Sequence, residues 1–111
     1  MIFETEGLIQ ETEVALKYIR EIEISSCLNL SLCYLKVKEY HYAIKYSCQV
    51  LDKDDENDKA YYRRGVAYLN IGELHKCKED LLRAHEITQG KDTKVLEAIN
   101  ELKLKQQKHK D

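Results

Sequence analysis

Three polar side chains in this 111-residue sequence have the types and spacing to hold an anionic ligand: Asn29, Lys59 and Arg63. Arg63 follows Asn29 by 34 residues (63 − 29), and Lys59 precedes Arg63 by four. Four residues are about one helical turn, so Lys59 and Arg63 share a face if they lie on a helix. An amide, an ammonium and a guanidinium held together suit a carboxylate-rich ligand. The amide donates to a main-chain or carboxyl oxygen, and the two cations supply charge-assisted hydrogen bonds. Taken singly, each is an ordinary solvated side chain; their register is what gives them meaning.

Other groups with chemical potential fit blander roles. Among Cys27, Cys33, Cys48 and Cys77, no pair has the short separation of a zinc knuckle, so reduced thiols acting as small apolar core residues are expected, with no metal. The acidic run from Asp52 to Asp58 invites comparison with a calcium loop. Such a loop needs Gly at its sixth position and Glu at its twelfth, where this chain has Asn57 and Arg63, so a solvated turn is the better reading. His41 and His75 are also 34 apart and read as surface residues. There is no Gly-x-Ser-x-Gly elbow, phosphate-cradling glycine loop or His-Glu-x-x-His helix, so neither an enzyme nor a cofactor is expected. The Lys-rich end carries Val95, Ile99 and Leu104 but lacks the aromatic anchor of a calmodulin target.

Composition narrows the elements that must position these residues. Proline is absent and glycine occurs 4 times, too few for the turns of a β-sandwich or the loops of a nucleotide-binding α/β fold. The net charge of -2 is far from the basic balance of a nucleic-acid binder. No apolar run approaches the ~20 residues that span a bilayer. An all-α, cytoplasmic chain with no nucleic-acid or membrane partner is the expectation.

The 34-residue interval extends beyond Asn29 and Arg63. Shifting the chain by 34 lays Tyr34 on Tyr68, Leu35 on Leu69, Glu39 on Glu73 and His41 on His75. Small lies on small at Ser31/Gly65, Cys33/Ala67 and Ala43/Cys77. Within each copy the apolar spacing is helical: Cys27, Leu30, Ser31, Tyr34, then Tyr40, Ala43, Ile44, Ser47, Val50. The second copy repeats it with Tyr61, Gly65, Tyr68, then Leu74, Cys77, Leu81, Ala84, split at Gly72. Gly65 in mid-helix costs about 1 kcal/mol relative to alanine, and close approach of a neighbouring helix is the expected compensation. Two antiparallel helices per repeat predict a helix-hairpin solenoid.

The series Ala60, Tyr61, Gly65, Ala67, Tyr68, Gly72, Leu74, Cys77, Leu81, Ala84 resembles the tetratricopeptide repeat (TPR) pattern. The runs from Cys27 to Lys36 (CLNLSLCYLK) and from Lys59 to Gly65 (KAYYRRG) resemble the C-terminal TPR domain of FK506-binding-type immunophilins, co-chaperone prolyl isomerases. That resemblance implies that first helices line a concave groove and that Asn29, Lys59 and Arg63 form part of a dicarboxylate clamp. Such clamps grip the acidic C-terminal tails of heat-shock chaperones ending Glu-Glu-Val-Asp. It also implies that any isomerase domain lies outside this chain. Two further clamp members, a Lys and an Asn on an upstream helix, have no match in residues 1–20. The alternative is a TPR scaffold whose partner needs no free carboxylate. Arg64, at a usually apolar position, is expected to pack its stem and extend its head outward.

The organisation expected is 1–23 as a remnant of a preceding repeat plus an extended helix start, 24–57 and 58–91 as repeats, and 92–111 as a capping helix with a basic tail. One long helix is predicted from Ile9 to Val37, preceded by the tail of an upstream repeat over residues 1–8. Asp92 is placed as the cap of a last helix bearing Val95, Leu96, Ile99 and Leu102 on one face, with its lysines solvated. The uncovered apolar face of the long helix makes self-association an expectation.

Overall fold

The computed structural model describes the backbone of residues 2–110 and the side chains of residues 7–108. Five helices follow in order: α1 (Ile2–Lys36), α2 (Tyr40–Lys53), α3 (Asp58–Ile71), α4 (Leu74–Ile87) and α5 (Thr93–Lys110). No strand occurs among the described residues. The chain is all-α, as its periodicity requires.

Repeat chemistry sets the helix ends. α1 closes where Lys38 turns left-handed (φ 62°) and Glu39 N–H reaches back to the Tyr34 carbonyl at 2.8 Å. α3 closes the same way at Gly72 (φ 84°), with Glu73 N–H on the Tyr68 carbonyl at 2.9 Å. Only the second copy uses glycine, the residue that adopts this conformation without steric penalty. The Asn57 side chain caps α3 by accepting from Ala60 N–H at 3.0 Å, and Asp92 caps α5 by accepting from Lys94 N–H at 2.9 Å. The acidic turn also binds itself, Asp54 accepting from Glu56 N–H and from the Asn57 amide.

Each helix packs on the next, and α1 also meets α3 as α3 meets α5. Odd-numbered helices therefore form one layer and α2 with α4 the other. Small residues allow the layers to close: Ser31, Ala43, Ser47, Ala60, Ala67, Cys77 and Ala84 are fully buried. A Cβ on Gly65 would lie 2.9 Å from Leu81 Cδ2 and 3.3 Å from Asp80 Cβ, the close approach expected of it. Tyr34 stacks on Tyr42 and Tyr46, at centroid distances of 5.1 and 5.6 Å, which fastens α1 to α2.

Several expectations shift. α1 starts at Ile2, because the single Gly7 costs too little to break a helix of good formers. The buried stripe of α5 is Val95, Ala98 and Leu102, whereas Leu96 is 40% exposed. Cys77 is buried but Cys33 is exposed, so the thiols are not uniformly core. Lys105 is not simply solvated: its Nζ donates to the Leu69 carbonyl at 3.3 Å, capping α3 from α5. The Arg64 head turns inward. Its Nε and Nη2 each donate to Asp80 at 2.8 Å, and Nη1 to the Cys48 sulfur at 3.4 Å, joining α2, α3 and α4. Burial pushes the Asp80 carboxyl above its ordinary value, against the pull of Arg64.

Two stability outcomes follow. Gly65→Ala should lose about 1–2 kcal/mol in urea unfolding, because the added methyl presses on fully buried Leu81 and on Asp80 Cβ; Lys38→Gly should gain about 0.5–1 kcal/mol by relieving the left-handed turn. Burial pushes the Cys77 thiol up from 9.0 to about 12. The folded chain thus holds that proton after the unfolded chain has lost it, so this contribution is complete below pH 9 and declines as pH rises towards about 12. Urea midpoints measured across that window should fall less in Cys77→Ala than in the parent.

Candidate peptide-binding groove

The layer of α1, α3 and α5 carries all three residues singled out by spacing. Arg63 lies on the side of α3 that faces α1, and its Nη1 donates to the Leu28 carbonyl at 2.6 Å. Ser31 Oγ also donates to that oxygen, at 2.9 Å. Leu28 is the neighbour of Asn29, so this bond ties the guanidinium to the turn of α1 that bears the amide. Arg63 is half-buried, and burial lowers its pKa from the ordinary value while Asp58 opposes the shift. One of its five N–H donors is used internally, which holds the planar head in place while leaving others for a ligand.

Lys59 stands one turn earlier on α3 and is exposed. Asn29 is exposed and lines a shallow depression on α1 with Tyr18, Glu21, Ile22, Ser25 and Ser26. The structure thus places the guanidinium against α1 at the carbonyl of Leu28, the residue before Asn29, with the Lys59 ammonium one turn away on α3 and in solvent. An oriented guanidinium and a solvent-exposed ammonium one turn apart are groups able to donate charge-assisted hydrogen bonds to anionic oxygen.

A feature not picked out by the sequence reading lies across α3. Tyr62 is half-buried, and its hydroxyl pKa is raised first by burial and then by the negative charges of Asp92, Glu97 and Glu101. The signal was present: Glu97 is one further 34-residue step from Arg63 (97 − 63), so the layer reads Asn29, Arg63, Glu97 in register. Arg63 therefore points to α1, while the carboxylates of Asp92, Glu97 and Glu101 act on Tyr62 from the α5 side. His41 and His75 are exposed, and His75 pairs with Glu79 at 3.0 Å on its own helix. No group of three or more His, Cys, Asp or Glu with the geometry of a metal site occurs among the described residues.

Residues 58–90 match the family model described as tetratricopeptide repeat. That stretch is a TPR repeat, and the chain has the fold of a TPR domain. It superposes on the C-terminal TPR-containing domain of an FK506-binding protein of Plasmodium falciparum with a TM-score of 0.83 and 33% identity, covering 87% of this chain and 64% of that one. FK506-binding protein 59 of Drosophila melanogaster is 33% identical over 95 residues, 84% of this chain and 21% of that protein. Outer envelope protein 61 of Arabidopsis thaliana is 37% identical over 82 residues, 74% of this chain and 15% of that protein. The TPR chain therefore spans about a fifth or less of these curated relatives. TPR domains are non-catalytic interaction modules, and no described helix is long and apolar enough to cross a membrane.

The geometry separates the three residues by their part in the fold. Arg63→Ala should cost about 1–2 kcal/mol of stability through the lost charged bond to Leu28. Lys59→Ala and Asn29→Ala should change it by less than ~0.5 kcal/mol, since both side chains are exposed. Equal losses in all three, measured by urea unfolding, would contradict this assignment.

Proposed function

We propose that this TPR domain is the chaperone-binding part of a co-chaperone, holding the acidic C-terminal tail of a heat-shock chaperone through Asn29, Lys59 and Arg63. The observation that supports the reading is the Arg63–Leu28 bond, which ties a half-buried guanidinium to the main chain of the residue preceding Asn29 on the adjacent first helix. A terminal carboxylate meets Arg63 and Lys59, and the Asn29 amide donates to a neighbouring oxygen of the tail. Four free thiols suit a reducing, cytoplasmic setting, and isomerase activity belongs to a domain outside this chain.

The clamp is partial. Its family's two upstream members are absent from residues 1–20. Charged hydrogen bonds contribute roughly 1.5–3 kcal/mol each, so their absence lowers affinity by about 10²–10⁴. The acidic flank of Glu97 and Glu101 beside Tyr62 favours a second reading, in which a partner of mixed charge lies in the groove with no free carboxylate.

Calorimetric titration with a short peptide ending Glu-Glu-Val-Asp separates the two. The expected result is weak binding that disappears when the peptide C-terminus is amidated and in Lys59→Ala. Equal binding of the free and amidated peptides would support the second reading. If the peptide were ignored both by this chain and by a chain extended upstream with a further helix pair, the tail-binding reading would be wrong.

A further inference from the structure

The bond that orients Arg63 ends on an oxygen with other claims on it. The Leu28 carbonyl accepts from Arg63 Nη1 at 2.6 Å and from Ser31 Oγ at 2.9 Å. It also stands four residues before Leu32 within α1, where the helix ladder brings it that residue's N–H. A carbonyl oxygen has two lone pairs, so three donors divide two acceptor sites. Ser31 is fully buried, so its hydroxyl meets protein and not solvent.

Size alone does not call for that hydroxyl. Helix packing needs a small residue at position 31, and the equivalent position one repeat on is Gly65. Nor does burial force a serine to bond here, because Ser47 is equally buried and its Oγ has no hydrogen-bond partner among the described residues. The repeat supplies a contrast. A step of 34 residues turns Leu28, Ser31 and Arg63 into Tyr62, Gly65 and Glu97. The hydroxyl thus occurs where the next first helix offers a guanidinium to the carbonyl. It is absent where that helix offers a carboxylate, which has no proton to donate.

We infer that Ser31 is a positioning residue for Arg63, acting through the shared Leu28 oxygen to limit how firmly the guanidinium is held. Because the Ser31 hydroxyl and the Leu32 N–H keep that oxygen satisfied, Arg63 can shift towards a ligand oxygen without leaving a part-buried acceptor bare. With alanine at position 31, Nη1 meets the oxygen with one competitor fewer, and the head is held closer to α1. The effect on ligand affinity rests on the carboxylate-binding reading of Arg63; the coupling of Ser31 to Arg63 does not.

A double-mutant cycle in urea tests the coupling. Arg63→Ala should raise the unfolding equilibrium constant about two- to tenfold more in Ser31→Ala than in the parent chain, whereas Lys59→Ala should act equally in both. Rotation about the Nε–Cζ bond of Arg63, read by nitrogen NMR, should be slower in Ser31→Ala. In titration with the peptide ending Glu-Glu-Val-Asp, Ser31→Ala should bind about three- to tenfold more weakly than the parent. Additive losses in the cycle, or an unchanged rotation rate, would reduce Ser31 to a packing residue and overturn the inference. Equal affinity of Ser31→Ala and the parent for the peptide would overturn it too. Should no chain bind the peptide, the cycle and the rotation rate still decide what Ser31 does to Arg63, and only the tail-binding reading falls.

Discussion

The fold depends on how closely its helix backbones can approach. Where α3 meets α4, Gly65 has no Cβ and Leu81 fills the space; one repeat earlier, the same two positions are Ser31 and Ser47, both fully buried. A glycine with a leucine and a serine with a serine are two solutions to one volume constraint. The other small buried residues serve the same end. Only with the layers this close do the first helices lie side by side and let an arginine on one reach a main-chain carbonyl on the next.

That reach gives the groove its electrical character. Arg63 is oriented by α1, Lys59 is free in solvent, and the carboxylates around Tyr62 lie on the opposite flank of α3. The charged side chains named on α3 and its neighbours are thus divided, cations towards α1 and carboxylates towards α5. Arg64, adjacent to Arg63, points the other way and pairs with Asp80 on α4, joining the two layers.

The repeat, the helix pairs, the Asp92 cap and the close approach at Gly65 were legible in the sequence, because each is written in local spacing or in a 34-residue echo. The inward turn of Arg64 was not. Its partner Asp80 lies on the next helix, and the positions equivalent to this pair hold Leu30 and Tyr46, so the echo suggests an apolar contact where an ion pair stands. Lys105 escaped for a similar reason: a lysine in a basic tail looks solvated until a helix end is known to lie beneath it. Glu97 was within reach, since the register that joins Asn29 to Arg63 needed only one further step. Spacing places these side chains on the layer; the Leu28 carbonyl that orients Arg63 has no sequence signature, because every residue has one.

Among the described residues α1 is braced over its second half alone, so its two halves differ in what must separate before their backbone bonds can open. Near Ser31 its backbone bonds break only when the packed layers separate; near Leu8 they are held by little beyond the helix itself, and an unsupported helix of that length is marginal in water. Amide hydrogens along α1 should therefore exchange with solvent on a gradient, slowest beneath α2 and fastest at the free end. Anything that seats on the free half flattens that gradient, so its occupancy can be read from backbone protons that the occupant never touches.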